Sequence, residues 1–214
     1  MKRIVVMISG SGSNLQTIID RIHHSDVDAQ IVAVIANKAD AYGLVRAADA
    51  SIEAICIPSS DFAHDRVAYD QQLIQAIDQL APDLIVLAGY MRILTDEFVH
   101  KYLGKLINIH PSLLPKYRGL NTHQRAIDNA DTDHGVSIHF VTPELDGGPV
   151  IVQAKVPIFS DDSKDDLAER VQVQEHQIYP LVVKWFVEER LVMQDGYALM
   201  DNNQLGSQGF AADE

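Results

Sequence analysis

Short runs of β-branched and apolar residues alternate with amphipathic stretches through the first half of the chain, and this alternation constrains the fold more than any other feature. Ile4 to Ile8, Gln30 to Ala36, Ile52 to Ile57, Asp83 to Ala88 and Leu106 to His110 have the length and composition of strands. Between them Leu15, Ile18, Ile19 and Ile22 recur at i, i+3, i+4, i+7, and Val67 to Leu80 carries a similar stripe, so both read as helices. Strand alternating with helix predicts an α/β, Rossmann-like fold: a mostly parallel twisted sheet with helices on both faces. Such sheets place their ligands outside the carboxyl ends of the strands.

The period changes after Gly135. Val136, Ile138 and Phe140 alternate with Ser137, His139 and Val141, and a second alternating run comes after Asp146-Gly147-Gly148, which predicts an antiparallel hairpin near the C-terminal part. A long helical pattern from about Asp165 to Leu191 contains Pro180, which is expected to kink or divide it. With 214 residues, 47% of them hydrophobic, the chain can bury one sizeable core, and residues 1–200 are expected to form a single domain. Residues 201–214 are polar and glycine-containing and read as a flexible tail.

Asn108 and His110 stand two residues apart at the end of the fifth strand run, so their side chains share a face, and the prolines of Pro111-Ser112-Leu113-Leu114-Pro115 end that strand. Either the pair satisfies local backbone groups, or it serves a polarised carbonyl, one residue donating an amide hydrogen bond and the other a proton or charge. Asp146, taken alone, is a turn residue at a hairpin tip.

The loop Ser9-Gly10-Ser11-Gly12-Ser13-Asn14 leaves the first strand and enters a helix. Its glycines let backbone amides face a ligand, its Ser and Asn add polar groups, and a helix amino terminus favours phosphate. It is neither G-x-G-x-x-G nor a Walker sequence, and a plain strand-to-helix turn with a polar cap is the other reading.

Composition narrows the partners. Lys and Arg total 17 against 30 Asp and Glu, a formal charge of −13, so the overall field repels nucleic acid and a small anionic substrate needs a local trap. No stretch approaches the roughly 20 apolar residues of a membrane span, and Ile4 to Ile8 is too short for a signal-peptide core, which predicts a cytoplasmic protein. The single cysteine, Cys56, excludes an intrachain disulfide and reads as a small core residue.

Several motifs taken together resemble a known family. Ile8-Ser9-Gly10-Ser11-Gly12-Ser13-Asn14-Leu15-Gln16, Gly89-Tyr90-Met91-Arg92-Ile93-Leu94, Asn108 to Tyr117, and Glu144-Leu145-Asp146-Gly147-Gly148-Pro149 are similar in kind and order to the phosphoribosylglycinamide formyltransferases of the folate-dependent formyltransferase superfamily. The resemblance covers about residues 1 to 200. It implies transfer of a formyl group from 10-formyltetrahydrofolate, a co-substrate, to the amino group of glycinamide ribonucleotide in de novo purine synthesis, with no metal.

Carried over by position, the resemblance implies that Gly12, Ser13 and Asn14 hold the ribonucleotide phosphate and that Glu175 contacts its glycinamide end. It implies that Arg66 meets a carboxylate of the folate tail, and that Met91, Arg92, Ile93, Leu94 and Asn108 bind folate. Without it, Met91, Ile93 and Leu94 read as core, Arg66 as a surface charge and Glu175 as a solvated helix face. For catalysis the resemblance and the chemistry agree. Asn108 and a protonated His110 stabilise the growing negative charge on the formyl oxygen, and His110 then donates a proton. Asp146 is expected to raise the pKa of His110 and to help deprotonate the attacking amine through water.

Related activities fit the sequence less well. A methionyl-tRNA formyltransferase would add a carboxyl-terminal RNA-binding domain, and a formyltetrahydrofolate deformylase an amino-terminal regulatory domain, whereas Met1 and Lys2 here run straight into the first strand. A nucleotide-dependent oxidoreductase has the wrong fingerprint spacing. His110, His123, His134 and His139 lack the spacing of a zinc hydrolase. A non-catalytic binding protein is the remaining alternative. The expected partners are small molecules, for a monomer or a homodimer.

Overall fold

The computed structural model describes residues 1–62 and 65–210. The chain divides into two compact units, 1–107 and 108–214, and the division falls inside a strand rather than at a linker.

The first unit is built on β1 (Lys2–Ile8), followed by α1 (Ser13–Ile18), β2 (Ala29–Ala36), α2 (Gly43–Asp49), β3 (Glu53–Cys56), α3 (Arg66–Leu80), β4 (Leu84–Leu87) and α4 (Asp96–Lys101). Its strands run in the order β3-β2-β1-β4, and every pairing among them is parallel. Ile4 to Ile8 are fully buried, as a parallel strand covered on both faces requires, which is why this run is continuously apolar. α1 passes into a π-helical turn at Ile19–His23. α3 starts at Asp65, whose carboxylate accepts the Ala68 N–H at 3.0 Å, and it buries Tyr69, Leu73 and Ile77 at helical spacing. α2 and α4 have seven and six residues, too few to show a periodic stripe. Cys56 corrects an expectation: it is exposed, because β3 is the edge strand and its burial is slight.

β5 (Leu106–His110) spans the division. The second unit continues with α5 (Thr122–Asp128), β6 (Asp133–Phe140), β7 (Val150–Pro157) and α6 (Lys164–Val187). β6 and β7 pair antiparallel from Asp133↔Pro157 to His139↔Val150, with a register shift between Ile138 and His139. The seven strands β1 to β7 thus make a mixed sheet, parallel in its first unit and closed by the expected hairpin.

α6 differs from expectation. It is one helix with Pro180 inside, begun by a capping box between Ser163 and Asp166, and Pro180 does not divide it. Tyr179, Val182 and Val183 around the proline are fully buried, and burial of such side chains offsets the roughly 3 kcal/mol that an internal proline costs. The helix ends at Val187, before β8 (Leu191–Gln194), β9 (Tyr197–Met200) and β10 (Asn203–Gln204), a separate antiparallel sheet. Asp195-Gly196 and Asp201-Asn202 all have positive φ, the pattern of tight hairpin turns.

The segment expected to be a flexible tail is structured up to residue 210. β10 lies within it, and the Phe210 N–H donates to the Ile151 carbonyl at 2.7 Å while its ring meets that of Trp185 edge-on at 5.2 Å. Residues 211–214 lie outside the described residues.

Candidate active site

In the second unit the end of β5 places Asn108 and His110 on one face, as period 2 demands, with Asn108 half-buried and His110 buried. The loop after the strand is fastened to β6 by Ser137, whose hydroxyl donates to the Ser112 carbonyl at 2.6 Å and accepts the Leu114 N–H at 3.0 Å. Asp146 occupies the tip between β6 and β7 with φ 47°, a left-handed conformation that Asp tolerates better than most residues. The glycine two positions on is required for a different reason: a Cβ on Gly148 would collide with the Phe140 carbonyl. The Gly119 N–H donates to Asp146 Oδ2 at 2.9 Å, and Arg118 forms an ion pair with Glu144.

These elements bring the three predicted catalytic side chains together with a fourth. His110 Nδ1 lies 3.6 Å from Asp146 Oδ2, and His139 Nε2 lies 3.8 Å from Asp146 Oδ1. Asn108 Nδ2 is 3.2 Å from His139 Nε2. His139 Nδ1 is 2.9 Å from the Phe140 carbonyl, which can only accept, so Nδ1 carries the proton and Nε2 accepts from the Asn108 amide. Burial lowers the pKa of His139 and keeps it neutral. His110 Nε2 is 2.9 Å from the Tyr117 carbonyl and donates to it by the same logic, which turns Nδ1 toward Asp146. His139 was the residue that sequence reasoning missed. Its signal is its place on the same strand face as Ser137, in a run whose opposite face is apolar.

Glu175 lies on α6, half-buried, one turn before the fully buried Tyr179. The Tyr179 hydroxyl pKa is pushed well up, by burial first and the Glu175 charge second.

In the first unit Gly12 has φ 69° and precedes α1, and Gly43 packs so closely that a Cβ on Gly12 would lie 2.8 Å from its Cα. The loop is further held by Arg46, which donates to the Ser11 carbonyl at 2.9 Å and to Gln16. Asn14 is buried and Ser13 half-buried. The 91–94 segment comes after β4: Leu94 is buried, but Met91 and Ile93 are 65% and 58% exposed and so are not the core residues their composition suggested. Arg66 opens α3, is exposed, and reaches the Leu94 carbonyl at 3.4 Å. Arg92 stacks its guanidinium on the Tyr69 ring at 4.3 Å.

Among the described residues no group of three or more His, Cys, Asp or Glu side chains is arranged to hold a metal ion, and no helix is long and apolar enough to cross a membrane.

A parallel-sheet fold with an amide, two imidazoles and a carboxylate gathered at a strand end defines an α/β enzyme suited to a polarised carbonyl. The chain belongs to the formyl transferase family, whose model matches residues 2–183. It is 57% identical over 211 residues to the phosphoribosylglycinamide formyltransferase of Escherichia coli, covering 99% of both chains. It is 41% identical over 182 residues to the human trifunctional purine biosynthetic protein adenosine-3, covering 85% of this chain and 18% of that protein. Among solved structures, the phosphoribosylglycinamide formyltransferase of Coxiella burnetii matches with a TM-score of 0.92 and 48% identity over 97% of each chain.

Proposed function

We propose that this protein transfers the formyl group of 10-formyltetrahydrofolate to the amino group of 5′-phosphoribosylglycinamide, giving formylglycinamide ribonucleotide in purine biosynthesis. The observation that carries the reading is the cluster of Asn108, His110, Asp146 and His139 at the end of β5, in a chain so similar throughout to the Escherichia coli enzyme.

The substrate amine attacks the formyl carbon, the bond from that carbon to the folate nitrogen breaks, and the proton lost by the amine is balanced by one gained at the leaving nitrogen. Asn108 donates to the formyl oxygen as charge grows there; its amide is already oriented by His139. His110 acts in its protonated form: with Nε2–H engaged by the Tyr117 carbonyl, it donates the Nδ1 proton to the leaving folate nitrogen. Asp146 orients that nitrogen and takes the amine proton through water. In the first unit Gly12, Ser13 and Asn14 hold the phosphate, Arg66 meets the folate carboxylate, and Met91, Arg92, Ile93 and Leu94 bind folate; in the second unit Asn108 is a folate contact as well as a donor to the formyl oxygen. Glu175 contacts the glycinamide end. The reading carries with it a cytoplasmic monomer or homodimer acting on small molecules without metal or nucleic acid.

The test is folate release from 10-formyltetrahydrofolate, monitored by absorbance with and without the ribonucleotide, with product mass determined. Release that requires the ribonucleotide and yields its formylated form supports the transferase. Release of formate without it would make the protein a hydrolase.

A further inference from the structure

We propose that Ser9 and Asp70 are positioning residues for the folate-binding segment Met91 to Leu94, pinning its two ends; this rests on the proposed assignment of that segment to folate. The Met91 N–H donates to Ser9 Oγ at 2.8 Å, and the Thr95 N–H donates to Asp70 Oδ2 at 2.6 Å. Both acceptors are buried, 6% and 3% exposed. Neither residue belongs to the catalytic cluster or to the proposed ligand contacts.

The need for such pins arises from the segment itself. Met91 and Ile93 keep most of their apolar surface in solvent and Leu94 alone among the apolar residues of the segment is buried, so burial holds little of this stretch in place. Its conformation depends instead on polar contacts, and these come largely from one face of α3. Arg66, Tyr69 and Asp70 lie at i, i+3 and i+4, and each meets a different part of residues 90–95: the Leu94 carbonyl, the Tyr90 hydroxyl at 3.0 Å together with the Arg92 guanidinium, and the Thr95 N–H. Ser9 supplies the contact at the other end, from the loop that begins the proposed phosphate site. A carboxylate acceptor makes the Thr95 contact the stronger kind, and its loss would leave a backbone N–H without that acceptor. Thr95 also caps α4 through its own hydroxyl, so Asp70 holds the point at which the segment passes into a helix.

The experiment is steady-state kinetics of Ser9→Ala, Asp70→Ala and Asp70→Asn on the full chain, with Ile93→Asp as the control for the folate assignment. Ser9→Ala and Asp70→Ala are expected to raise the KM for 10-formyltetrahydrofolate about tenfold, the size of one lost charge-assisted or well-buried hydrogen bond, with the ribonucleotide KM within about twofold of wild type. Asp70→Asn keeps an acceptor oxygen and is expected to recover most of the loss. An unchanged folate KM in Ser9→Ala and Asp70→Ala would overturn the proposal, as would an equal rise in both KM values, which marks a general structural defect. Should Asp70→Ala not fold, Ser9→Ala decides by the same criteria. Ile93→Asp separates the two levels: if it leaves the folate KM unchanged, the assignment of the segment to folate fails, whereas a raised KM there with unchanged pin variants defeats only the positioning role.

Discussion

The Asn108 side-chain amide donates to Nε2 of His139 across 3.2 Å, and His139 is held in the accepting tautomer by the Phe140 carbonyl at its other nitrogen. This relationship sets the direction of the Asn108 amide before any carbonyl arrives, which is the condition for a donor to favour a transition state. His139→Phe is expected to lower kcat about tenfold with little change in either KM, and Asn108→Ala to lower it on the order of a hundredfold. Single-turnover rates check both; a smaller loss in Asn108→Ala than in His139→Phe would reverse the order of causation.

Asp146→Asn keeps the shape of the side chain and removes its charge beside His110. Turnover is expected to fall by about 10²- to 10⁴-fold, the usual worth of positioned acid–base groups. Because the residue sits at a loop tip, the thermal midpoint should move little. Turnover near wild type would take Asp146 out of the mechanism.

Stability should fall on acidification. Burial and the neighbouring His123 lower the His134 pKa to about 4, with Asp131 opposing and His110 adding to the shift, and burial lowers that of His139. Both stay neutral in the folded state, whereas in the unfolded chain they take up protons near pH 6.5. The unfolded state therefore binds more protons between about pH 6.5 and 4, so this contribution is complete above pH 6.5 and is lost as pH falls toward 4. Urea unfolding at several pH values reads the slope, and His134→Gln should flatten it.

Phe210→Ala removes a half-buried ring from Trp185 and is expected to cost roughly 1–2 kcal/mol, or a few degrees in Tm, without altering kcat. Calorimetry beside the activity assay tests this. A large loss of turnover at unchanged Tm would connect the C-terminal segment with catalysis.

Gly148→Ala places a methyl group against the Phe140 carbonyl, within reach of the residues that set both Asp146 and His139. Both stability and kcat should drop, and circular dichroism with activity measurement distinguishes this from a purely local loss. Gly10→Ala, where nothing lies near the added carbon, is the tolerated comparison.

The parallel strands, α3 and the hairpin were legible because each has a hydrophobic period long enough to read: Ile4 to Ile8 is buried on both faces, and Val136, Ile138 and Phe140 alternate. α2, α4 and α5 were not, since helices of six or seven residues complete barely two turns and are stabilised by tertiary packing instead of by a stripe of their own. The β8–β9 hairpin had a readable turn in Asp195-Gly196 between short apolar runs, and the polar run Asp201 to Gln204 beside it obscured it. Pro180 is the opposite case, a local breaking signal overridden by buried neighbours on either side.

The sequence by itself determined the fold class, through strand and helix periods, and it singled out Asn108, His110 and Asp146 as the candidate catalytic residues, through motifs that resemble those of a family. Tertiary structure decided how the last two meet: they are separated by α5, β6 and the loops that join them, and the β6–β7 pairing and the close approach at Gly148 help to set Asp146 at 3.6 Å from His110. It also decided the part played by His139, because a histidine's tautomer and charge depend on which carbonyl and amide it faces and on its burial. Those are properties of packing in three dimensions, to which spacing along the chain has no access.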